Sequence, residues 1–140
     1  MNKDIIKRIY SWTDYDNDIK KILKEIEDRK WNIMGIYGVK KGGWPLAVTL
    51  ANHLNIQLYT TLDDMRYIPD SGKLIVDDIS DEGKTLININ QICAMKSVTL
   101  FIKEDTRFIP NFYCNKAKRN EWIVFPWEPL KKEPKRDNNT

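Results

Sequence analysis

Residues 73–86 read KLIVDDISDEGKTL, and this stretch decides the fold. Its apolar half is typical of a buried strand, and the strand ends in two adjacent acids, Asp77 and Asp78. A polar turn follows the acids, and a helix is predicted over residues 86–95. The two acids are therefore expected at the carboxyl end of a strand, beside the start of a helix.

This arrangement indicates an anion site that has sugar hydroxyls or a metal ion beside it. Backbone amides of a first helical turn attract phosphate, Gly83 allows a close approach, and the Thr85 hydroxyl adds a donor. Asp77 and Asp78 would repel the phosphate, so their oxygens are better matched to sugar hydroxyls or to Mg²⁺. An acidic surface turn is the simpler alternative, but it accounts poorly for three aspartates and a glycine at one strand end.

Residues 83–85 also match the end of a Walker A loop, which binds a triphosphate. The first glycine of that motif would fall at Asp78. A carboxylate at that point would crowd and repel the triphosphate, so we disfavour this interpretation.

Apolar residues at helical spacing predict a first helix from Tyr15, capped by Thr13 with Asp16. The other predicted elements are strands over 31–38, 56–60, 73–77 and 98–102, helices over 44–54 and 86–95, a loop or short hairpin over 62–72, and less regular segments near Phe112 and over 122–125. Strands that alternate with helices imply a doubly wound parallel sheet. The ligand crevice of such a sheet lies at the carboxyl ends of its strands.

Two more segments carry groups that suit this crevice. Lys41, Gly42 and Gly43 follow a predicted strand, where they form either a pyrophosphate cradle or a plain turn. Lys103 ends another strand, where it can donate to the 6-oxo group of a purine, and Trp122 offers a face for base stacking. Taken singly, a solvated lysine and a core tryptophan are the commoner fates of such residues.

Together these segments resemble the type I phosphoribosyltransferases, over roughly residues 31–127. The family signature is an apolar strand followed by Asp-Asp, two residues, Asp-Thr-Gly and a nearby Thr; residues 76–85 depart from it at Glu82, where Thr is usual. The resemblance implies that Asp77 and Asp78 hold the ribose hydroxyls, Asp78 through Mg²⁺, and that Asp81 is the general acid/base at N7 of the base. The residues it assigns to ribose and its 5-phosphate are Asp77, Asp78, Ser80, Asp81, Glu82, Gly83, Lys84 and Thr85.

Within this family the chain looks most like the 6-oxopurine branch, the bacterial xanthine-guanine phosphoribosyltransferases. The pyrophosphate loop of the family usually reads Arg-Gly-Gly, and Lys41-Gly42-Gly43 is similar to it. The resemblance implies that Lys103 reads O6, that Trp122 stacks on the base and that the Ile123 backbone meets the 2-position. The fold it implies is α/β, a single doubly wound, mostly parallel sheet flanked by helices, with a small or reduced hood.

The resemblance implies a purine salvage enzyme. It would transfer ribose 5-phosphate from phosphoribosyl pyrophosphate (PRPP) to guanine, xanthine or hypoxanthine, with Mg²⁺ as cofactor and a homodimer or homotetramer as the assembly. The alternative is a regulatory protein that binds PRPP or a nucleotide without catalysis; Glu82 and the short segment 62–72, the available lid, favour it. A third possibility is a protein that contacts RNA through its basic tail and surface aromatics.

The composition of the chain limits its possible partners, metal sites and location in the cell. The chain has 140 residues and a net charge of +3, and two of the three excess charges lie in residues 129–140, so we expect no nucleic-acid partner. Cys93 and Cys114 are too few for a disulfide framework, and the single His53 excludes a histidine-rich metal site. No segment is typical of a membrane span or a secretory signal, which favours the cytoplasm. We expect one domain over residues 1–128 and a basic, disordered tail over 129–140.

Overall fold

A computed structural model describes residues 4–129 of the chain. Helices and strands alternate along most of this length. In chain order they are β1 (Ile6–Ile9), α1 (Trp12–Asp28), β2 (Gly35–Gly38), α2 (Trp44–Leu54), β3 (Gln57–Tyr59), β4 (Lys73–Ser80), α3 (Lys84–Ile92), β5 (Lys96–Lys103), β6 (Phe112–Ala117) and β7 (Glu121–Val124). Two short 3₁₀ turns, Asp63–Met65 and Asp70–Gly72, lie between β3 and β4.

Five parallel strands form the central sheet, in the order β3-β2-β4-β5-β6. The strand that follows β2 in the chain lies on one side of it, and β4 lies on the other side. The strand order therefore reverses between β2 and β4, and a doubly wound sheet binds its ligand at the carboxyl ends of two such strands. Here those ends are Gly38, which pairs with Val76, and the acids that follow Val76.

Helices cover both faces of this sheet. α1 and α2 pack on one face, in a core that includes Ile36, Leu74 and Val76. α3 packs on the other face, where its Leu86 belongs to the same cluster as Ile75. Neighbouring residues of β4 enter opposite cores because successive side chains of a strand point to opposite faces. β1 and β7 pair with each other in a separate two-stranded parallel sheet.

Most of the elements predicted from the sequence are present. α2 has the predicted bounds, whereas α3 spans Lys84–Ile92 rather than 86–95. β4 continues past the predicted end at Asp77 to Ser80, so the acid pair lies within the strand. Segment 62–72 is a loop with two 3₁₀ turns, and it forms no hairpin.

The predicted cap of α1 was wrong. The helix is capped by Ser11, whose side chain accepts a hydrogen bond from the N–H of Asp14 at 3.0 Å, while the Asp14 carboxylate accepts one from the N–H of Ser11 at 3.0 Å. This reciprocal pair is a capping box, and it places the helix start before Thr13. The helix therefore begins two residues earlier than the cap at Thr13 implied.

The prediction of less regular segments near Phe112 and over 122–125 was also wrong, because these segments are strands. β6 is the edge strand of the central sheet, and β7 pairs with β1, which was not predicted at all. Among residues 4–129, no helix combines the length and the apolar character that a membrane span requires. The predicted tail lies outside the described residues apart from Pro129, and the boundary at residue 128 remains a prediction.

Candidate active site

The loop that follows β2 lies against the end of β4. Val39 donates from its N–H to the carbonyl of Val76 at 2.9 Å, and Gly43 donates to the carbonyl of Val39 at 2.7 Å. A Cβ on Gly43 would lie 2.6 Å from the Val76 carbonyl oxygen, so a side chain at residue 43 would force the loop away from the strand. These contacts place the predicted pyrophosphate loop at the carboxyl ends of β2 and β4, where the strand order of the sheet reverses. We call this place the switch point.

The same loop brings Gly42 against the acid pair. A Cβ on Gly42 would lie 2.3 Å from Oδ2 of Asp78, which is far closer than any real contact. Lys41, the residue before it, is exposed at the edge of this contact. Residues 41–43 and Asp78 were assigned to the pyrophosphate and the metal separately, and the fold makes them neighbours.

Asp77 and Asp78 are two adjacent carboxylates that no lysine or arginine of residues 4–129 balances. Burial raises the pKa of Asp77 well above its usual range, and the charge of Asp78 raises it further. Burial also raises the pKa of Asp78. Within residues 4–129, no lysine or arginine nitrogen lies within the 4.0 Å of an ion pair from either carboxylate. Their oxygens are therefore suited to hydroxyl groups or to a bound cation.

A small pocket of about 70 Å³ opens next to the acid pair. Gly83 precedes α3 with a φ of 88°, and no side chain caps the start of this helix. A Cβ on Gly83 would lie 2.6 Å from the Phe108 nitrogen, so glycine is required here for space as well as for its torsion angles. The uncapped amides of α3 suit the pocket to an anion. Its lining residues are Asp77, Ile79, Ser80, Asp81, Glu82, Gly83, Lys84, Thr85 and Leu86.

Glu82 adds a third acid to this loop, but its charge is balanced locally. Its carboxylate pairs with Lys84 at 3.0 Å, and Lys84 lowers the pKa of Glu82. Because the ion pair is partly exposed, it contributes little to stability. Its consequence is electrostatic: the carboxylate that replaces the usual threonine is neutralised by the residue two positions later.

Ser80 is placed differently from a phosphate-binding serine. It is buried, with 2% of its surface exposed. Its hydroxyl donates to the carbonyl of Phe108 at 2.8 Å and lies 3.1 Å from the Thr106 hydroxyl. The side chain therefore anchors the pocket loop to the loop after β5. A role for Ser80 toward phosphate would have to use its backbone.

The groups assigned to the purine are held together by the turn between β6 and β7. Lys103 ends β5 and is 6% exposed, and its Nζ donates to the backbone carbonyls of Lys118 at 3.2 Å, Arg119 at 3.4 Å and Glu121. Burial lowers the pKa of Lys103. Trp122 follows this turn and is partly exposed, whereas the Ile123 side chain is buried in the core.

Arg119, in the same turn, was missed by sequence reasoning. It forms an ion pair with the Asp81 carboxylate, and its Nη2 donates to the Asp81 carbonyl at 3.1 Å. Its Nε also donates to the two carboxylate oxygens of Asp105 at 3.0 and 3.2 Å. A lone arginine in a turn gave no sequence signal, because its partners are distant in the chain.

The candidate lid offers one exposed aromatic side chain. Tyr67 is 84% exposed, and the guanidinium of Arg66 lies over its ring at 4.6 Å. Arg66 also pairs with Asp63 at 2.9 Å. The loop 62–72 therefore presents a paired arginine and a tyrosine to solvent.

Three comparisons bear on this site. The chain is 26% identical to the xanthine-guanine phosphoribosyltransferase of Chromohalobacter salexigens over 134 residues, which cover 84% of this chain and 82% of the relative. Among solved structures, the purine phosphoribosyltransferase of Pyrococcus horikoshii is 28% identical with a TM-score of 0.73, covering 92% of this chain and 99% of that one. The resemblance read from the sequence is confirmed.

The fold is confirmed in the same way. The xanthine-guanine-hypoxanthine phosphoribosyltransferase of Helicobacter pylori, at 22% identity, has a TM-score of 0.74 over 87% of this chain and 93% of that one. This chain therefore has the type I phosphoribosyltransferase fold. No protein-family model matches the chain.

Proposed function

We propose that this protein is a purine phosphoribosyltransferase that uses PRPP and a 6-oxopurine. The observation that carries the proposal is that the switch point brings the acid pair, the glycine loop and the uncapped start of α3 to one edge of the sheet. The similarity to named xanthine-guanine phosphoribosyltransferases supports catalysis over binding alone. In the reaction, the bond from ribose C1′ to pyrophosphate breaks, a bond from C1′ to a purine nitrogen forms, and the purine loses a proton.

The sugar and its phosphates would be held by three neighbouring groups. Asp77 and Asp78 accept hydrogen bonds from the ribose hydroxyls, because their carboxylates have no cation of the described chain beside them. Residues 80–85 surround the 5-phosphate with backbone amides and the Thr85 hydroxyl. Lys41, with the backbone of Gly42 and Gly43, binds the departing pyrophosphate. This arrangement holds PRPP so that C1′ faces the base, and such alignment is a large part of enzymatic rate enhancement.

The base would be read by residues at the end of β5 and in β7. Lys103 exchanges one of its three backbone acceptors for O6 of the purine, Trp122 stacks on the ring, and the backbone of Ile123 meets the 2-position. A 6-oxo group accepts a hydrogen bond from the lysine, whereas a 6-amino group is a donor and would be rejected. Asp81 accepts or returns the proton at N7.

A divalent cation completes the proposal. Asp77 and Asp78 fit one, since burial raises their pKa values and no lysine or arginine of residues 4–129 forms an ion pair with them. Within residues 4–129, no three acidic, histidine or cysteine side chains form a closed metal cage. Mg²⁺ commonly uses one or two carboxylates together with substrate oxygens and water. Asp78 would hold Mg²⁺, which when bound neutralises charge on the pyrophosphate.

The test is nucleotide synthesis from PRPP and each of guanine, xanthine and hypoxanthine, followed by chromatography. We expect a nucleoside monophosphate and pyrophosphate with at least one base. Asp81→Ala should lower kcat by about 10²–10⁴-fold, the usual contribution of a general acid/base, with nucleotide affinity largely kept. Asp16→Ala, which removes an exposed acid of α1, is the matched control. Binding of GMP without turnover by the unmodified chain would favour a regulatory protein instead.

The assembly of the chain, its location and the classes of partner that it lacks remain predictions. A homodimer or homotetramer is expected, and sedimentation of the purified chain measures it. The cytoplasmic location and the absence of a nucleic-acid or membrane partner are likewise predictions from the sequence.

A further inference from the structure

The turn between β6 and β7 contacts both polar groups that the proposed function assigns to the purine. The backbone carbonyls of its Lys118 and Arg119, and that of Glu121 at the start of β7, accept hydrogen bonds from Lys103 Nζ. Its one arginine, Arg119, contacts the Asp81 carboxylate and the Asp81 carbonyl. A single turn therefore sets the positions of the candidate base-reading amine and of the candidate general acid/base.

Arg119 is fixed on its far side by Asp105. The Asp105 carboxylate accepts from Nε at 3.0 and 3.2 Å and from Nη2 at 2.5 Å. The Arg119 guanidinium lowers the pKa of Asp105, and this hydrogen-bonded carboxylate raises the pKa of Arg119. A planar guanidinium held by one carboxylate can orient a second one, which a flexible ammonium does less well.

The Asp81 carboxylate depends on this contact for its direction. Among residues 4–129, Arg119 is the one lysine or arginine within ion-pair distance of Asp81. The side chains of the next residues in the pocket loop are engaged elsewhere, since Glu82 pairs with Lys84. Without Arg119, the Asp81 side chain would rotate at the mouth of an open pocket.

We propose that Arg119 is a positioning residue of the transfer reaction: anchored by Asp105, it holds the Asp81 carboxylate toward the purine. This inference rests on the proposed function. Arg119 acts through Asp81 and need not touch PRPP. Its loss should therefore lower kcat more than it raises the KM for PRPP. Within the loop assigned to the 5-phosphate it contacts Asp81, whereas among residues 4–129 it forms no ion pair with the other acids assigned to PRPP.

The experiment measures kcat and KM for GMP formation in the full chain and in Arg119→Ala, Arg119→Lys and Asp105→Asn variants. Misplacing a catalytic group by about 1 Å costs on the order of 10²-fold in rate, so we expect a 10- to 100-fold lower kcat in Arg119→Ala and a smaller change in the KM for PRPP. Millimolar guanidinium chloride should restore part of that kcat. Arg119→Lys should recover less than guanidinium does, because it lacks the planar fork.

Asp105→Asn should lower kcat less than Arg119→Ala, and the double variant should be no worse than Arg119→Ala, because Asp105 acts only through the arginine. Arg107→Ala is the matched control. It removes an exposed arginine of the neighbouring loop that has no ion pair with Asp81 among the described residues, and it should keep kcat within about twofold.

The outcomes separate the two claims. A wild-type chain that makes no nucleotide from any 6-oxopurine overturns the proposed function, and the inference with it. An active wild type together with a fully active Arg119→Ala overturns the inference alone. So does a loss of kcat in Arg119→Ala that guanidinium does not restore and that accompanies a lower melting temperature, because that pattern describes a structural role.

Discussion

At the scale of single residues, Gly42 and Asp78 share a space that has no room for a second side chain. A Cβ on Gly42 would lie 2.3 Å from Asp78 Oδ2 and 2.6 Å from its Cγ. The carboxylate is tied by the N–H of Ile79, which donates to Asp78 Oδ1 at 2.8 Å. Either the loop or the acid would have to move to admit a methyl group. The glycine therefore maintains the contact between the candidate pyrophosphate loop and the acid pair.

We expect Gly42→Ala to raise the KM for PRPP about 5- to 150-fold, since overpacking of this kind costs about 1–3 kcal/mol. Steady-state kinetics of nucleotide synthesis measures it. Val48→Ala is the control, because it shortens a side chain of α2 that is 44% exposed. Its KM should stay near that of the wild type. Equal KM values in the two variants would contradict the assigned role of Gly42.

The residues of the site differ in how far the sequence could predict them. Asp77, Asp78 and Gly83 lie in one short segment, so their proximity follows from chain connectivity and from the strand–turn–helix pattern. Arg119 contacts residues 38 and 14 positions away, and only the folded sheet brings them together. The partners of the Ser80 hydroxyl could not be predicted for the same reason, since they follow the next strand of the sheet.

At the scale of elements, the local sequence pattern was sufficient to predict a helix or strand whose apolar residues repeat regularly and pack against the core. α2 has its predicted bounds, and its Leu46, Ala47 and Leu50 repeat at helical spacing and are all buried. β1 was not predicted, because two of its isoleucines, Ile6 and Ile9, are 54% and 69% exposed. Its pairing with β7 joins segments more than 100 residues apart, and no local pattern records such a partner.

The start of α1 offers a direct test at this scale. Ser11→Ala removes the acceptor of the Asp14 N–H, and the loss of such a cap typically costs about 1 kcal/mol. In a chain of this size that corresponds to a melting temperature lower by about 4 °C, measured by calorimetry or circular dichroism. Thr13→Ala, at the position the sequence pattern favoured, should change it by less than about 1 °C. A larger loss of melting temperature in Thr13→Ala than in Ser11→Ala would mean that Thr13 caps the helix.

At the scale of the whole molecule, the two buried carboxylates at the switch point lower the stability of the fold when both are charged. Burial raises the pKa of both Asp77 and Asp78, so the folded state binds protons there more tightly than the unfolded state does. The stability that this pair contributes is therefore fully present below the ordinary pKa of aspartate and is lost as the pH rises from there through the raised values. Asp105 has the opposite sign, because Arg119 lowers its pKa. Comparing the stability of one variant of this pair with that of the wild type at each pH separates the contribution of the pair from that of Asp105.

Asp77→Asn keeps the oxygen that accepts the N–H of Asp78 at 2.8 Å and removes one of the two charges. We expect its melting temperature at pH 7 to exceed that of the wild type by a few degrees, with the difference shrinking as the pH falls through the raised pKa values, where the wild-type pair gains its proton. Mg²⁺ should raise the melting temperature of the wild type at pH 7 more than that of the variant, because a ligand stabilises the state that binds it. Glu27→Gln, on the exposed face of α1, should show neither effect. A less stable Asp77→Asn at pH 7 would mean that the fold already balances both charges, and the acid pair would then have no reason to recruit a cation.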